Sequence, residues 1–400
     1  MINGQATPYI RIENLADKRK WSLNGGPFGS KLVSSMYADE GVPVIRGANM
    51  GDGSRFHDAD FVFVTTEKAD ELRAHTARRG DVIFTQRGTL GQVALIPPTS
   101  RFDRYVISQS QMKLTVDPLK ADAAFIYYCF CEPKIRSDFV GLASSSGVPH
   151  VNLATLREYS IPLPPLDEQR RIADILSAYD DLIENNTRRI AILEDMARRL
   201  FEEWFVQRRA PVALSGPGDW IAATMGDALT LQRGFDLPIS ERTKGPYPVV
   251  AASGIHGFHR EYKVRGPGVT TGRSGTIGQV QYIEGNFWPL NTSLWIKEFK
   301  HGGPVFAYYL LSSLDLTGNN TGAAVPSLNR NIVHSMPTIL PPLRMVSAFE
   351  AIAGDMRRTI SALTDANINL RTSRDLLLPK LISGEIEVRA AEEALEAAAA

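Results

Sequence analysis

The chain has 400 residues, 44% of them hydrophobic and 22% charged, and its 44 Lys and Arg balance 44 Asp and Glu to a formal net charge of zero. This composition is that of a folded globular protein, and the length favours two domains or more. No apolar run is long enough to span a bilayer, and Cys129 and Cys131 alone can build neither a disulfide framework nor a four-cysteine zinc site. We expect a cytoplasmic protein, because the N-terminus also lacks the pattern of a signal peptide.

The distribution of charge along the chain is more informative than its sum. Residues 1–160 carry 19 Lys and Arg against 17 Asp and Glu, and residues 211–342 carry 10 against 8. The segment 384–400 carries one basic residue against five acidic ones, which predicts an acidic Ala/Glu tail. Two weakly basic globular parts permit DNA binding without indicating it.

In chain order, two regions of short strands alternate with two long helices. Runs such as VPVIRGA and DVIFTQ in the first region, and YPVVAAS and QVQYI in the second, predict short strands joined by Gly-rich and Pro-rich loops. With helices such as ADAAFIYYCFC between them, each region is expected to be a mixed α/β (α+β) domain. The predicted order is a globular domain 1–165, a helix 166–208, a second globular domain 209–342, a helix 343–383 and the tail 384–400.

The two halves of the chain are copies of one unit. QRGTLGQVALI (86–96) matches RSGTIGQVQYI (273–283), FIYYCF (125–130) matches FAYYLL (306–311), and SSSGVPHVNL (144–153) matches NTGAAVPSLN (320–329). The offset between the copies shrinks from 187 to 177 residues, as loops of different length would produce. The chain is therefore a duplication.

Each copy ends in a helix whose apolar residues recur every seven positions. A heptad stripe of about 40 residues is the seam of a coiled coil, and two such helices in one chain can bury their stripes against each other. We therefore expect the helices to pair as an antiparallel coiled coil. The predicted seam consists of Ile172, Tyr179, Leu193, Leu200 and Trp204 in the first helix and Phe349, Met356, Leu363, Leu370 and Leu377 in the second.

A Leu-Pro-Pro-Leu segment precedes both helices, at 163–166 and 340–343. Proline restricts its own φ and disfavours the helical conformation of the residue before it, so the chain stays extended until the helix begins. Proline before a helix is also common as a simple boundary. Its use in both copies favours a joint that sets the angle between each globular domain and its helix.

Known catalytic motifs are missing. GPGVTTGRSGTIG (266–278) has the wrong spacing for a phosphate loop and an arginine in place of the lysine, so a Gly-rich turn is the better interpretation. There is no methyltransferase tetrapeptide, dinucleotide fingerprint, zinc-protease motif or histidine cluster with metal-ligand spacing. The sequence therefore points away from an enzyme and from a metal or cofactor of its own.

Several segments resemble the specificity subunits of type I restriction–modification enzymes. The strongest is IPLPPLDEQRRIADILSAYDDLIENNTRRIAILEDMARRLFEEWF (161–205), followed by GDVIFTQRGTLGQVALI (80–96), YPVVAASGIHGFH (247–259) and LLLPKLISGEIEV (376–388). The resemblance implies two target recognition domains, each reading half of a split, asymmetric double-stranded DNA sequence. It also implies two methyltransferase subunits that bring S-adenosylmethionine, and restriction and translocase subunits that bring ATP and Mg²⁺. A coiled-coil scaffold without DNA readout and an enzyme with an unrecognised site remain alternatives.

DNA readout requires polar side chains on exposed loops. In the first domain the candidate loops are 45–49, 85–92 and 144–152, and in the second they are 252–260, 270–276 and 320–330. The candidate residues are Arg46, Asn49, Gln86, Arg87, Thr89, Ser146, His150, Asn152, His256, His259, Arg273, Ser274, Thr321, Ser327, Asn329 and Arg330. For residues that the two copies share, we expect a structural or phosphate-contacting role. The pairs that differ, Gln86 with Arg273 and His150 with Ser327, are the better specificity candidates.

Overall fold

The computed structural model describes residues 7–51, 54–144, 149–214, 219–317, 327–386 and 388. The chain divides into two compact units: residues 1–186 with 366–400 form the first unit, and residues 187–365 form the second. These units differ from the predicted division by chain order, because each long helix contributes one part to each unit. The chain-order boundaries at 165, 208, 342 and 383 remain a prediction. Residues 387 and 389–400 of the predicted acidic tail lie outside the described residues.

The first unit is a mixed α/β domain of short strands. Its strands are β1 Tyr9–Arg11, β2 Leu23–Gly25, β3 Val42–Ile45, β4 Val62–Val64, β5 Thr76–Ala77, β6 Val82–Thr85, β7 Val93–Leu95, β8 Tyr105–Ile107, β9 Gln111–Leu114 and β10 Ser160–Pro162. Its helices are α1 Thr66–Glu71, α2 Ala123–Cys131, α3 Pro133–Gly141, α4 Leu153–Glu158 and the first part of α5 Leu166–Phe201. A four-stranded sheet in the order β2-β9-β6-β7 and a second in the order β4-β3-β8-β5 carry the domain.

The second unit repeats this plan. Its strands are β11 Ile221–Thr224, β12 Leu229–Arg233, β13 Tyr247–Ala251, β14 Gly254–His259, β15 Gly268–Gly272, β16 Val280–Ile283, β17 Trp288–Pro289, β18 Ser293–Phe299 and β19 Pro337–Leu340. Its helices are α6 Met225–Ala228, α7 Pro304–Ser312, α8 Arg330–Ser335 and the first part of α9 Leu343–Ser383. A π-helical turn, Glu202–Val206, follows α5.

The sheet topology confirms the duplication. The sheet β12-β18-β15-β16 has the order of β2-β9-β6-β7, and the pair β11-β19 corresponds to β1-β10. The parallel pairing of β3 with β8 recurs as β13 with β17. The predicted architecture, two globular domains each followed by a long helix, is confirmed.

Within the first unit, polar contacts join α5 to α9. The side chain of Asn186 donates to Oδ1 of Asn367 at 3.0 Å, and Asn367 donates to the carbonyl of Ile183 at 3.3 Å. Six residues earlier on α5, Asp180 forms an ion pair with Arg374, which lies seven residues later on α9. The helices are therefore antiparallel, as predicted. Buried polar pairs of this kind select one register of a helix pair.

Within the second unit, the same two helices meet through aromatic rings. Phe349 is fully buried, with its ring centroid 5.7 Å from that of Phe201 and 5.2 Å from that of Phe205. Ala197 and Ala353 are also fully buried in this cluster, and small side chains allow the two backbones to approach closely. This cluster includes Tyr309 of α7, so the helix pair and the globular domain share one core.

The predicted seam residues all lie at buried or half-buried positions. Ile172, Tyr179, Trp204 and Phe349 are buried, and Leu193, Leu200, Met356, Leu363, Leu370 and Leu377 are half-buried. The first two do more than line a helix seam, because they join the core that contains α2 and the end of α9. The heptad stripe therefore serves the globular domain as well as the partner helix.

The proline segments before α5 and α9 are joined to the globular domains by hydrogen bonds. The Gln169 side chain donates to the carbonyl of Pro164 at 2.8 Å and accepts from the backbone N–H of Asp122, the N-cap of α2, at 3.0 Å. In the second unit, Nε2 of His301 lies 2.7 Å from the carbonyl of Pro341. Glu350 of α9 accepts from the N–H groups of Gly303 and Phe306 at the start of α7. These contacts agree with the interpretation of a joint.

Among the described residues, no helix is long and apolar enough to cross a membrane. Cys129 is buried in α2, Cys131 is half-buried, and both are free thiols.

Phe349→Ala should lower the free energy of unfolding of the second unit by about 3–5 kcal/mol, because it empties a fully enclosed aromatic site. The matched control is Ile352→Ala, three residues further along the same helix at an exposed position, for which we expect a change within about 0.5 kcal/mol. Urea denaturation measures both. Equal effects of the two substitutions would contradict the packing described for α9.

His334 should make the second unit less stable in mild acid. Burial, assisted by Arg330 and Lys300, lowers the pKa of its imidazole below the ordinary value of 6.5, and Nε2 accepts the N–H of Leu231 at 2.8 Å. Near pH 6.5 the folded chain therefore binds fewer protons than the unfolded chain. The stability that this difference contributes is fully present above pH 6.5 and is lost as the pH falls through the lowered pKa of His334.

Urea denaturation between about pH 7.5 and pH 5.5 should show a steeper loss of stability for the wild type than for His334→Gln, whose amide oxygen accepts without titrating. Ser335→Ala, at an exposed position next to His334, should keep the wild-type slope, because it neither adds nor removes a titrating group. Parallel curves for the wild type and His334→Gln would refute the assignment.

Candidate nucleic-acid interface

In the first unit, two of the three predicted loops meet at one end of the sheet. The backbone N–H of Val151 donates to the carbonyl of Gln86 at 3.1 Å. The backbone N–H of Gln86 donates to the carbonyl of Ser110 at 2.7 Å. Arg87 and His150 form an antiparallel bridge next to this contact. Loop 85–92, which follows β6, is thereby held against the segment that enters α4.

The second unit makes the same contacts at the equivalent positions. The N–H of Leu328 donates to the carbonyl of Arg273 at 2.8 Å, and that of Arg273 donates to Thr292 at 2.8 Å. Ser274 and Ser327 form the bridge that corresponds to Arg87 and His150. We call this arrangement the loop clamp; it consists of residues 86–87 with 150–151 in the first unit and 273–274 with 327–328 in the second.

The glycines shared by the two clamps are required by the backbone. Gly88 and Gly91 have φ of 93° and 81°, and Gly275 and Gly278 at the matching positions have 86° and 78°. Residues with a Cβ rarely adopt this left-handed region. At Gly91 a Cβ would also lie 2.8 Å from the side chain of Val140. The shared Gly-Thr-Leu/Ile-Gly motif is therefore structural, in agreement with the role predicted for residues that the copies share.

Several candidate side chains project from the clamps and are accessible. Arg87 and Thr89 are exposed and His150 is half-buried in the first unit, and Arg273, Ser274 and Ser327 are half-buried in the second. Asn152 and Asn329 are exposed at equivalent positions, and each caps a short helix, α4 or α8, through its side-chain oxygen. His256 and Arg330 are exposed as well.

Three candidates belong to the scaffold instead. The side chain of Asn49 is fully buried; it accepts from the N–H of Arg46 and donates to the carbonyls of His57 and Ala59. His259 is buried and its Nδ1 accepts the N–H of Thr243. Gln86 is 5% exposed. Their amide and imidazole groups suggested base readout in the sequence, but burial leaves them no free surface.

The remaining candidates are of two kinds. The half-buried Arg46 lies next to β3, with Nη2 3.5 Å from the carbonyl of Asp60. Ser146 and Thr321 lie outside the described residues.

A groove in the second unit contains a residue that the sequence did not suggest. Arg233, at the end of β12, lines it together with Arg273 and Arg330, and no carboxylate from the described part of the chain contributes to the lining. Arg273 is oriented by a 3.2 Å hydrogen bond from Nη1 to the carbonyl of Asn291. Arginines suit both phosphate oxygens and the major-groove edge of guanine. Arg233 was missed because the sequence match between the copies begins beyond it, and only the strand pairing places it beside Arg273.

Among the described residues, no group of three or more His, Cys, Asp or Glu could hold a metal ion. Each unit thus carries a polar loop clamp with an arginine, Arg87 in the first unit and Arg273 in the second.

Comparison with known proteins shows which family the chain resembles. Residues 29–195 match the family model described as "Type I restriction modification DNA specificity domain". The chain is 26% identical over 366 residues to the type I restriction enzyme MjaIX specificity subunit of Methanocaldococcus jannaschii, covering 81% of this chain and 82% of that one. It is 27% identical over 197 residues to the HindI specificity subunit of Haemophilus influenzae, covering 48% and 41%.

A solved structure shares the fold of this chain. The crystal structure of the S subunit of a type I restriction–modification system from M. genitalium superposes with a TM-score of 0.65 at 20% identity, covering 95% of this chain and 97% of that one. The chain is thus similar, over most of its length, to the specificity subunits of type I restriction–modification enzymes, as the resemblance indicated. This similarity agrees with the prediction that the chain is a DNA-recognition subunit and not itself an enzyme.

Two substitutions distinguish a residue that stabilises the fold from a residue of the candidate interface. Asn49→Ala should lower the free energy of unfolding by about 1–3 kcal/mol, because it leaves buried backbone groups without partners. Arg87→Ala should change it by less than about 0.5 kcal/mol and weaken DNA binding, reducing the slope of log K against log salt by about 0.9 if Arg87 neutralises one phosphate. Urea denaturation and DNA titration at several salt concentrations measure these effects. A stable, fully DNA-competent Arg87→Ala chain would remove Arg87 from the interface.

Proposed function

We propose that this chain reads a split, asymmetric DNA sequence, one half with each unit. The loop clamp carries this proposal. The same backbone hydrogen bonds recur in both units while the side chains that project from them differ: Arg87 and His150 stand where Ser274 and Ser327 stand in the other copy. A common backbone with different side chains is what two related domains need in order to recognise different bases.

The first unit would present a cationic arginine and an imidazole, and the second a groove with three arginines. Arg, Asn, Ser and Thr side chains are the usual donors and acceptors toward phosphates and base edges. The exposed Asn152 and Asn329 already use their side-chain oxygens as helix caps, so their amide N–H groups are the part available to DNA. The spacing between the half-sites would be set by α5 and α9, since each helix contributes to both units.

The long helices would also dock the partner subunits of the complex. In the first unit, Leu182, Ile368 and Leu376 on these helices are exposed, and in the second unit Ile192, Met196 and Ile352 are exposed. Large apolar side chains left in water along helices that are already paired fit binding by further protein. The partners would be two methyltransferase subunits, which bring S-adenosylmethionine, and restriction and translocase subunits, which bring ATP and Mg²⁺; this chain would bind none of these cofactors itself.

The test is an exchange of recognition domains. Residues 1–160 are replaced by the corresponding part of a related specificity subunit, and the chimera is produced with its methyltransferase subunit in cells without other methylation. Sequencing of the methylated DNA should show one half of the target changed and the other half, with the gap, retained. The matched control replaces 211–336 instead and should change the opposite half.

An exchange that altered both halves at once would contradict independent reading by the two units. Methylation by the purified chain without a methyltransferase subunit would contradict its role as a recognition subunit.

A further inference from the structure

A basic cleft lies at the other end of the first unit's sheet from the loop clamp. β2 and β6 begin there and β9 ends there, whereas the clamp follows the end of β6 and precedes β9. Three to four residues of strand, roughly 10–13 Å, separate the two sites along the sheet. Seven lysines and arginines and two aspartates line the cleft. Four of the cations form ion pairs with carboxylates, and Lys20, Arg73 and Arg78 form none with the described residues.

Trp21 lines this cleft and has a strained backbone conformation. Its φ is 66°, in the left-handed region, which costs free energy for a bulky residue and persists where the surroundings impose it. Nζ of Lys20 lies 4.6 Å from the ring centroid of Trp21, and Cζ of Arg73 lies 5.9 Å from it. The ring therefore contacts two cations. Among the described residues, neither Lys20 nor Arg73 forms an ion pair with a carboxylate.

Buried donors in the lining lack sufficient partners. Thr76 is 9% exposed, and neither its hydroxyl nor Nε of Arg104 has a hydrogen-bond partner within the described part of the chain. Nζ of Lys113, also buried, has its nearest acceptors in Asp81 and Thr115, both at 3.5 Å, which is long for a charge-assisted hydrogen bond. Asp81 by contrast is well satisfied, accepting from Thr115 at 2.6 Å and from the N–H of Arg78 at 2.9 Å. The cleft therefore has more hydrogen-bond donors and positive charges than its own acceptors and carboxylates can match.

The duplicated fold does not require this cleft. By strand register, the second unit has Trp295 where the first has Lys113, and Gly268 where the first has Asp81. A buried Lys–Asp pair costs desolvation that a hydrophobic residue avoids. The second copy folds the same sheet without this pair, so the pair and the cations around it call for an explanation other than fold stability.

We propose that this cleft binds a phosphate group, with Lys20 and Arg73 at its mouth and Thr76, Arg104 and Lys113 as donors within. A phosphate supplies acceptor oxygens and negative charge, about two charges for inorganic phosphate and one for a backbone phosphodiester. These match the unpaired cations Lys20 and Arg73 and the unpartnered donors of Thr76 and Arg104. The phosphate can belong to a DNA backbone or to a free ligand. Only the DNA source rests on the proposed function; the phosphate chemistry stands without it.

The test uses the full-length chain and the double variant Lys20→Ala/Arg73→Ala. Its matched control is Arg101→Ala/Lys134→Ala, which also removes one exposed arginine and one exposed lysine from the first unit, both outside the cleft. Thr76→Val is the third variant, because it removes the buried hydroxyl while keeping the side-chain shape. Circular dichroism melting first establishes that all three fold as the wild type does.

In the first arm, inorganic phosphate is titrated at constant ionic strength and followed by tryptophan fluorescence and melting temperature. The wild type and the control should respond alike, the double variant should bind at least about tenfold more weakly, and Thr76→Val should be intermediate. In the second arm, DNA binding by the complex with the methyltransferase subunit is measured against salt. If DNA supplies the phosphate, the slope of log K against log salt falls by about 0.9 for each phosphate that the variant no longer neutralises, with an unchanged ratio of specific to non-specific affinity.

A change in the first arm alone assigns the cleft to a free phosphate ligand. An unchanged phosphate titration in the double variant, or an equal weakening in the control, overturns the proposal. Failure of the wild-type complex to bind any DNA rejects the proposed function and leaves the first arm to decide on the cleft.

Discussion

A hydrogen bond between two backbone groups, made once in each unit, is the constraint on which the recognition surface depends. The N–H of Val151 and that of Leu328 each donate to the carbonyl of the residue that follows a central strand, Gln86 or Arg273. Because neither bond involves a side chain, the loops keep their path whichever residues they carry. Positive-φ glycines at matching positions complete the same turn. Under the proposed function, duplication followed by change of the projecting side chains can thus alter the DNA sequence that is recognised without altering the fold.

The contacts between α5 and α9 differ between the two units. In the first unit α5 and α9 share an apolar core and also form polar pairs, with Asn186 facing Asn367 and Asp180 facing Arg374. In the second unit the contacts are aromatic, centred on Phe349. Apolar contacts supply most of the stability, whereas buried polar pairs tolerate fewer alternative registers. Tyr128 of α2 also donates to Asp180 at 2.7 Å, so the register of the helices and the position of the globular domain are linked through one carboxylate.

The sequence predicted those features that leave a periodic or repeated trace. The helix predicted over 343–383 has these bounds as α9, and the Gly-Thr-Leu/Ile-Gly match marks a real turn in both copies. Features that depend on the pairing of residues far apart in the chain could not be predicted from periodicity or repetition. Asn49 and His259 have the chemistry of base contacts but are buried, and Arg233 joins Arg273 only through the sheet. The cleft around Trp21 is assembled from four separate segments, none of which is a motif by itself.

The central claim, that backbone atoms and not side chains hold the recognition loops, is tested most directly by hydrogen–deuterium exchange. Exchange is compared between the wild type and Arg87→Ala/Ser274→Ala, in peptides that resolve the amides of Val151 and Leu328. The account predicts that both amides are protected in the wild type and equally protected in the variant, because the bonds end on carbonyl oxygens that the substitutions leave in place. Fast exchange at these amides in the wild type, or weaker protection in the variant, would contradict it.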